Sequence, residues 1–164
     1  MAKSAKSTKS SFKPVPQQLC AYLAVRGAAE AIAFYERAFG ATLDFKLVDP
    51  GDGRIGHAEL QFGATRLFLA DEYPDFGAVS PETIGGSPVK LHLEVADADA
   101  FVAHAVSAGA TVLRPVKLEF YGERSGLIAD PFGYSWFIAS KSETVTPEEM
   151  QRRWQAMFAA GEAA

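Results

Sequence analysis

The chain has 164 residues, a formal charge of −4, and a composition that is 48% hydrophobic and 22% charged. That profile fits one globular domain or two small modules and excludes a disordered chain or a coiled coil. The single cysteine, Cys20, excludes an intramolecular disulfide and paired-cysteine zinc motifs, and it suits a reducing, cytoplasmic setting.

Residues 1–17 read as a flexible basic arm whose expected role is solubility. Lys3, Lys6, Lys9 and Lys13 stand among Ser and Ala with no apolar run. The remainder keeps 12 basic against 20 acidic residues. This balance repels phosphate backbones and argues against a nucleic-acid partner. No apolar run approaches the ~20 residues of a membrane span, so no membrane partner is expected.

A single domain is expected over 18–144, built from a repeat. The strand-like LCAYLAV (19–25) leads to a helical pattern over 29–39 and then Gly40-Ala41-Thr42. VKLHLEV (89–95) leads to a second helical pattern and then Gly109-Ala110-Thr111. Val25 and Val95 are 70 apart, the two Gly-Ala-Thr triplets 69, and Phe62-Gly63 and Phe132-Gly133 again 70. A near-constant offset across several elements marks two copies of one unit, here 18–72 and 87–141.

Each copy predicts strand, helix, then three strands. In the first, Ile32, Tyr35 and Phe39 form a helical stripe ended by Gly40. A strand at 42–48, a turn at 49–53, and a hairpin of HAELQF and TRLFLA around Gly63-Ala64 follow. In the second, Asp97 caps a helix, and strands form from 111–118, RSGLIA and YSWFIA, with Asp130-Pro131-Phe132-Gly133 as a turn. Thr146-Pro147-Glu148-Glu149 then predicts a C-terminal helix over 146–160. Its apolar stripe (Met150, Trp154, Met157, Phe158) is expected to dock on the sheet or on a second subunit. The predicted class is α+β: two βαβββ modules forming a cupped mixed sheet, plus the C-terminal helix.

Strand alternation sorts side chains between a helix-packed face and its opposite. The core set is Leu19, Ala21, Leu23 and Val25; Ala58, Leu60 and Phe62; Leu67 and Leu69; Leu91, Leu93 and Val95; Trp136 and Ile138. The opposite face then gathers Tyr22, His57, Glu59, Arg66, Phe68, Lys90, His92, Glu94 and Phe137. Aromatic rings with a few convergent polar groups are what a small-molecule cleft requires. His57/Glu59 and His92/Glu94, each spaced i, i+2 on one strand face, can chelate a metal. They can equally form hydrogen-bonded pairs with Arg66 and Lys90, which is the preferred expectation. Tyr121 and Arg124, in YGERSG, line the cup mouth in one reading. In the other, slightly preferred, Arg124 anchors Asp130 or a loop carbonyl, with Gly122 and Gly126 marking close backbone approach.

AIAFYERAFGA, GHAEL, LFLADE, YGERSGLIADPFGYSW and the terminal TPEEMQRRW resemble the vicinal oxygen chelate superfamily of glyoxalase, bleomycin-resistance and dioxygenase proteins. Within it they look most like the PhnB-like branch, over about 19–140. The resemblance implies paired βαβββ modules curling into a cup, commonly in a homodimer. In metal-bearing members His, Glu or Gln hold a divalent ion at four strand positions, which correspond here to Cys20, Phe68, Lys90 and Phe137. Only Cys20 could ligate, so no metal and no cofactor are expected.

Two functions follow as expectations. The first is a metal-free protein holding a planar or hydrophobic small molecule in an aromatic-lined cup. The alternative is a metal-independent lyase or isomerase acting on a small carbonyl compound, with Glu59 or Glu94 as base and His57 or His92 as acid. A third reading is a dimer of purely structural role.

Overall fold

The computed structural model describes residues 18–160, so the basic arm expected at 1–17 lies outside the described residues. The first module runs β1 (Ala21–Val25), α1 (Ala28–Phe39), β2 (Thr42–Val48), β3 (Ile55–Phe62) and β4 (Thr65–Asp71). The second runs β5 (Lys90–Glu94), α3 (Ala98–Ser107), β6 (Thr111–Leu118), β7 (Glu123–Ala129) and β8 (Ser135–Lys141). Between them lie a 3-10 turn (Pro74–Phe76) and a short helix, α2 (Pro81–Ile84), neither of which periodicity marks. The chain closes with α4 (Pro147–Ala160).

The duplication read from the sequence is a duplication of topology. The strands lie in the orders β1-β4-β3-β2 and β5-β8-β7-β6, and in each sheet the first pair is parallel. The α+β class and the paired βαβββ modules are therefore present, with the mixed sheet divided into two four-stranded halves.

Asp71, at the end of β4, fixes the entry to α1. Its Oδ1 accepts the amides of Gly27 and Ala28 at 3.1 and 2.8 Å, and its Oδ2 accepts that of Ile55 at 2.7 Å. One carboxylate thus satisfies helix N-terminal donors that Gly27, lacking a side chain, cannot cap. Asp97 caps α3 by accepting the Ala100 amide, as its position predicts.

The predicted stripe on α1 is wider than expected. Ala28, Ala31, Ile32, Phe34, Tyr35, Ala38 and Phe39 are all buried. The reason is that α1 packs on its own sheet and meets the second module as well. Phe34 and Tyr35 reach Phe132 at ring distances of 6.0 and 6.2 Å, and Phe39 meets the Trp136 ring edge-on at 4.9 Å. The helix-bearing sides of the two modules face each other and share one core. Burial of each such aromatic contributes roughly 1.5–3 kcal/mol.

Polar contacts seal this seam. The Tyr35 hydroxyl and Trp136 Nε1 donate to Asp130 Oδ2 at 2.7 and 2.8 Å, and the amides of Phe132 and Tyr134 donate to Oδ1 at 2.9 and 3.0 Å. The Tyr134 hydroxyl bonds the backbone of Ala24 across the seam. His104 and Arg37 exchange contacts with the backbones of Arg37 and Ala108.

Most of the predicted core is buried, with one correction. Leu19 is 94% exposed, because it precedes β1 and no strand pairs it into the sheet. Leu91, Leu93 and Val95 are only partly buried, since β5 is an edge strand. At the C-terminus the Thr146 hydroxyl accepts the Glu149 amide, completing the predicted cap. The Trp154 ring of α4 packs 5.1 Å from Phe120, and Arg153 bonds Glu143, Glu149 and the Phe120 carbonyl. Trp154 and Phe158 stay 42% and 56% exposed, so α4 lies against the β6–β7 connection without burying its stripe.

Candidate functional site

Because the helix-bearing sides meet, the opposite sides of the two sheets point outward. Among the described residues the two sheets share no hydrogen-bonded strand pair and meet through core side chains, as where Phe62 of β3 stacks on Trp136 of β8 at 6.0 Å. The residues that strand phase placed on one common face therefore divide into two groups.

The first group is a connected chain on the outer side of β1, β3 and β4. The Tyr22 hydroxyl lies 2.8 Å from His57 Nδ1, His57 Nε2 lies 3.5 Å from Glu59 Oε1, and Arg66 donates to Glu59 Oε2 at 3.2 Å. With a carboxylate facing Nε2, the hydrogen-bond pattern assigns the proton to that nitrogen, leaving Nδ1 to accept from Tyr22. Three rings enclose the imidazole: Tyr22 and Phe68 at 5.4 Å and Phe45 at 5.6 Å. Partial burial raises the Tyr22 pKa, so its phenol stays protonated. Beside it, Tyr22, Gly56, Ala70, Tyr73, Phe76 and Ala78 line a pocket of about 350 Å³.

The expected pairing of His57, Glu59 and Arg66 is thus present, and Tyr22 extends it. The parallel expectation for the second module is not met. His92 and Glu94 are exposed on β5 with no hydrogen bond between them, and Lys90 pairs with neither. Lys90 Nζ instead lies 5.8 Å from the Phe137 ring centre, Arg114 Cζ lies 5.5 Å from it, and the His92 ring stands at 6.3 Å. Arg114 also faces the buried Glu119 at 3.4 Å.

Arg124 anchors neither Asp130 nor a loop carbonyl. Its guanidinium forks onto Asp99 in the first turn of α3, at 2.6 and 2.8 Å. Asp130 has no room for it, being filled by Tyr35, Trp136 and two amides. Tyr121, half-buried beside Phe120, borders a polar hollow of about 380 Å³ with Glu94, Glu123, Lys141 and Glu143. The close approach expected at the glycines is real. A Cβ on Gly122 would stand 2.7 Å from Val145 Cγ2, and one on Gly126 would stand 2.9 Å from Val116 Cγ2.

A second concavity, about 530 Å³, opens between the modules. Its walls are Leu19, Ala21, Leu67, Leu91, Leu93 and Trp136, with Arg66, His92 and Glu94 also lining it.

Phe45 and Arg114 lie in strands whose faces are not sorted from the sequence, and register shifts interrupt both, in β2 between Leu43 and Phe45 and in β6 between Val112 and Arg114. A bulge reverses the phase of every later side chain, so Leu43 packs inward while Phe45 pairs with Glu59 on the outer side. Tyr73 and Phe76 lie in a loop, where no period exists to read.

The superfamily's metal can be tested against these residues. Two phenylalanines and an ammonium at three of the four corresponding positions offer no ligand for a divalent ion. Among the described residues, no three of His, Cys, Asp and Glu are grouped to hold one. His57/Glu59 and His92/Glu94 sit on faces that point apart. The residues present do not fit a metal, and no chemical step is derived through one.

Two βαβββ units of identical strand order, packed through one shared core, define a protein of the paired-module class. The profile of the Glyoxalase/Bleomycin resistance protein/Dioxygenase superfamily matches residues 17–138, and the chain belongs to that superfamily. An uncharacterized protein of Mycobacterium bovis is 36% identical over 140 residues, covering 84% of this chain and 91% of that one. The X-ray structure of an Arabidopsis thaliana gene product is 29% identical with a TM-score of 0.62, covering 76% of this chain and 99% of that one. A Bacillus cereus PhnB protein, described as a putative 3-demethylubiquinone-9 3-methyltransferase, shares the fold. It is 19% identical with a TM-score of 0.59, covering 76% of this chain and 99% of that one. None of the described helices is long and apolar enough to cross a membrane.

Proposed function

We propose that this protein is a metal-free binder of a planar, largely apolar small molecule, and that its cup is completed between two copies of the chain. The carrying observation is the chemistry of the two outward faces. Each is centred on aromatic side chains at positions where metal-bearing relatives carry ligands, Phe68 on one and Phe137 on the other. Aromatic faces hold flat ligands by stacking, with little rotamer entropy to lose.

One chain presents these faces in opposite directions, so neither can close on the other. Joining the first module of one copy to the second module of its partner supplies the missing wall, and a twofold axis makes two such cups at once. In this reading the partner also covers apolar residues on the sheet margins, Phe45, Leu47 and Val48 in β2 and Val112 and Leu113 in β6, all more than 40% exposed here. The setting proposed is cytoplasmic, with neither nucleic acid nor membrane as partner.

Mixing separately purified Phe68→Ala and Phe137→Ala chains tests the shared cup. A heterodimer would carry both substitutions in one cup and neither in the other. After subunit exchange, titration with a planar fluorescent dye should then recover wild-type affinity at about a quarter of all sites, one in each heterodimer. Mixed chains that bind no better than either variant alone, or a monomer mass in light scattering, would reject it.

A second reading is favoured by the Tyr22–His57–Glu59 chain, which has the donor–imidazole–carboxylate order of an acid–base relay. It would make the protein a metal-independent lyase or isomerase of a small carbonyl compound. Solvent-deuterium exchange into such a compound, abolished in His57→Gln, is its test.

A further inference from the structure

The pocket beside Tyr22 has a polar end and an apolar body. Tyr73, Phe76, Gly56, Ala70 and Ala78 contribute rings, small side chains and backbone, and the Tyr22 hydroxyl stands among them backed by the imidazole of His57. We propose that this pocket takes the ring system of a flat aromatic acid, whose oxyanion is received by the Tyr22 hydroxyl with His57 and Glu59 behind it. The proposal rests on the aromatic cup and names the ligand chemistry that the cup selects.

Charge on both faces points to an acid. Tyr22 is protonated, and Glu59, behind Tyr22 and His57, is engaged by His57 and Arg66. On the other face Lys90, which has no ion pair among the described residues, and Arg114 both lie against Phe137. A wall supplied by a second copy would therefore bring two cations to an aromatic platform, a combination that receives a flat anion.

The hydrogen-bond chain makes this binding sensitive to protons. In the free protein the Tyr22 proton is directed at His57 Nδ1. To turn that proton toward an incoming oxyanion, Nδ1 must itself become a donor to the Tyr22 oxygen, so His57 takes up a proton from solvent. Glu59 at Nε2 then balances the imidazolium. The groups facing His57 are Tyr22 from β1, Phe45 from β2, Glu59 from its own strand, and Phe68 from β4, with Arg66 acting through Glu59. Glu59 is the charged group in direct contact.

The test compares 2-naphthoate with 2-naphthamide, which share a ring and differ in the oxyanion. Naphthoate should bind the full chain more tightly, and its affinity should fall about tenfold as pH rises, while naphthamide stays level. Calorimetry in buffers of different ionisation enthalpy should show proton uptake with naphthoate alone. Tyr22→Phe should erase the preference for the acid, and His57→Gln should flatten the pH profile. Equal binding of acid and amide, or a flat wild-type profile without proton uptake, overturns the inference and leaves the aromatic cup standing. Failure of both compounds to bind wild type overturns both. Should either variant unfold, the wild-type profile and proton count decide alone.

Discussion

The seam between the modules and the two outward faces are built from similar residues to opposite ends. Both use tyrosine, aromatic rings and a carboxylate. In the seam Asp130 is 5% exposed and holds four donors, so every oxygen is engaged. On the first outward face the Tyr22 hydroxyl is 2.8 Å from His57 but Tyr22 is 54% exposed, so its oxygen remains open to a newcomer. The difference teaches that a polar group stabilises where its partners are complete and recognises where they are not.

Breaking the seam should have the largest effect. Asp130→Ala strands two side-chain donors and two amides in the core, and should cost about 3–5 kcal/mol in chemical denaturation. Burial raises the Asp130 pKa, against the hydrogen bonds that lower it. A raised native pKa means the folded state holds that proton more tightly. The contribution is therefore complete below the ordinary carboxylate value and declines as pH rises through the raised one. Asp130→Asn should flatten that limb of the stability–pH curve. An unaltered limb would place its origin elsewhere.

The outward faces should respond in the reverse sense. Phe68→Ala or Phe137→Ala should weaken planar-ligand binding by roughly 1–3 kcal/mol while lowering stability by less than about 1 kcal/mol, because both rings are only half-buried. Paired titration and thermal melts would show the separation. A melt that collapses while binding persists would mean these rings belong to the core.

The smallest effect concerns the loop that floors the Tyr22 pocket. Glu72 receives the Thr83 hydroxyl, the Ser80 amide at 2.6 Å and Arg26 at 2.9 Å, contacts that hold its pKa down to about 2. A lowered native value gives support that is present above the ordinary carboxylate pKa and lost as pH falls toward that depressed value. Hydrogen exchange at the Ser80 and Thr83 amides should quicken over that acid range. In Glu72→Gln these amides should exchange fast already at neutral pH. Slow exchange there would show that α2 holds the loop without Glu72.

The amino-acid sequence by itself determined the modules, the order of elements within each, and the chemistry-bearing face of the five strands that alternate regularly. These follow from local periods: two along a strand, 3.6 along a helix, and about 70 residues between copies. The His57/Glu59/Arg66 pairing was legible for the same reason, since all three lie in one hairpin in regular register. Phe45 and Arg114 were not, because a bulge resets the phase without changing the residues' character. That Tyr22 joins His57, that Arg124 goes to Asp99, and that the Phe68 and Phe137 faces point apart were decided only by tertiary structure. The first two depend on which strands and helix become neighbours within a module, and the third on how α1 beds between the two sheets, packing that no local period encodes.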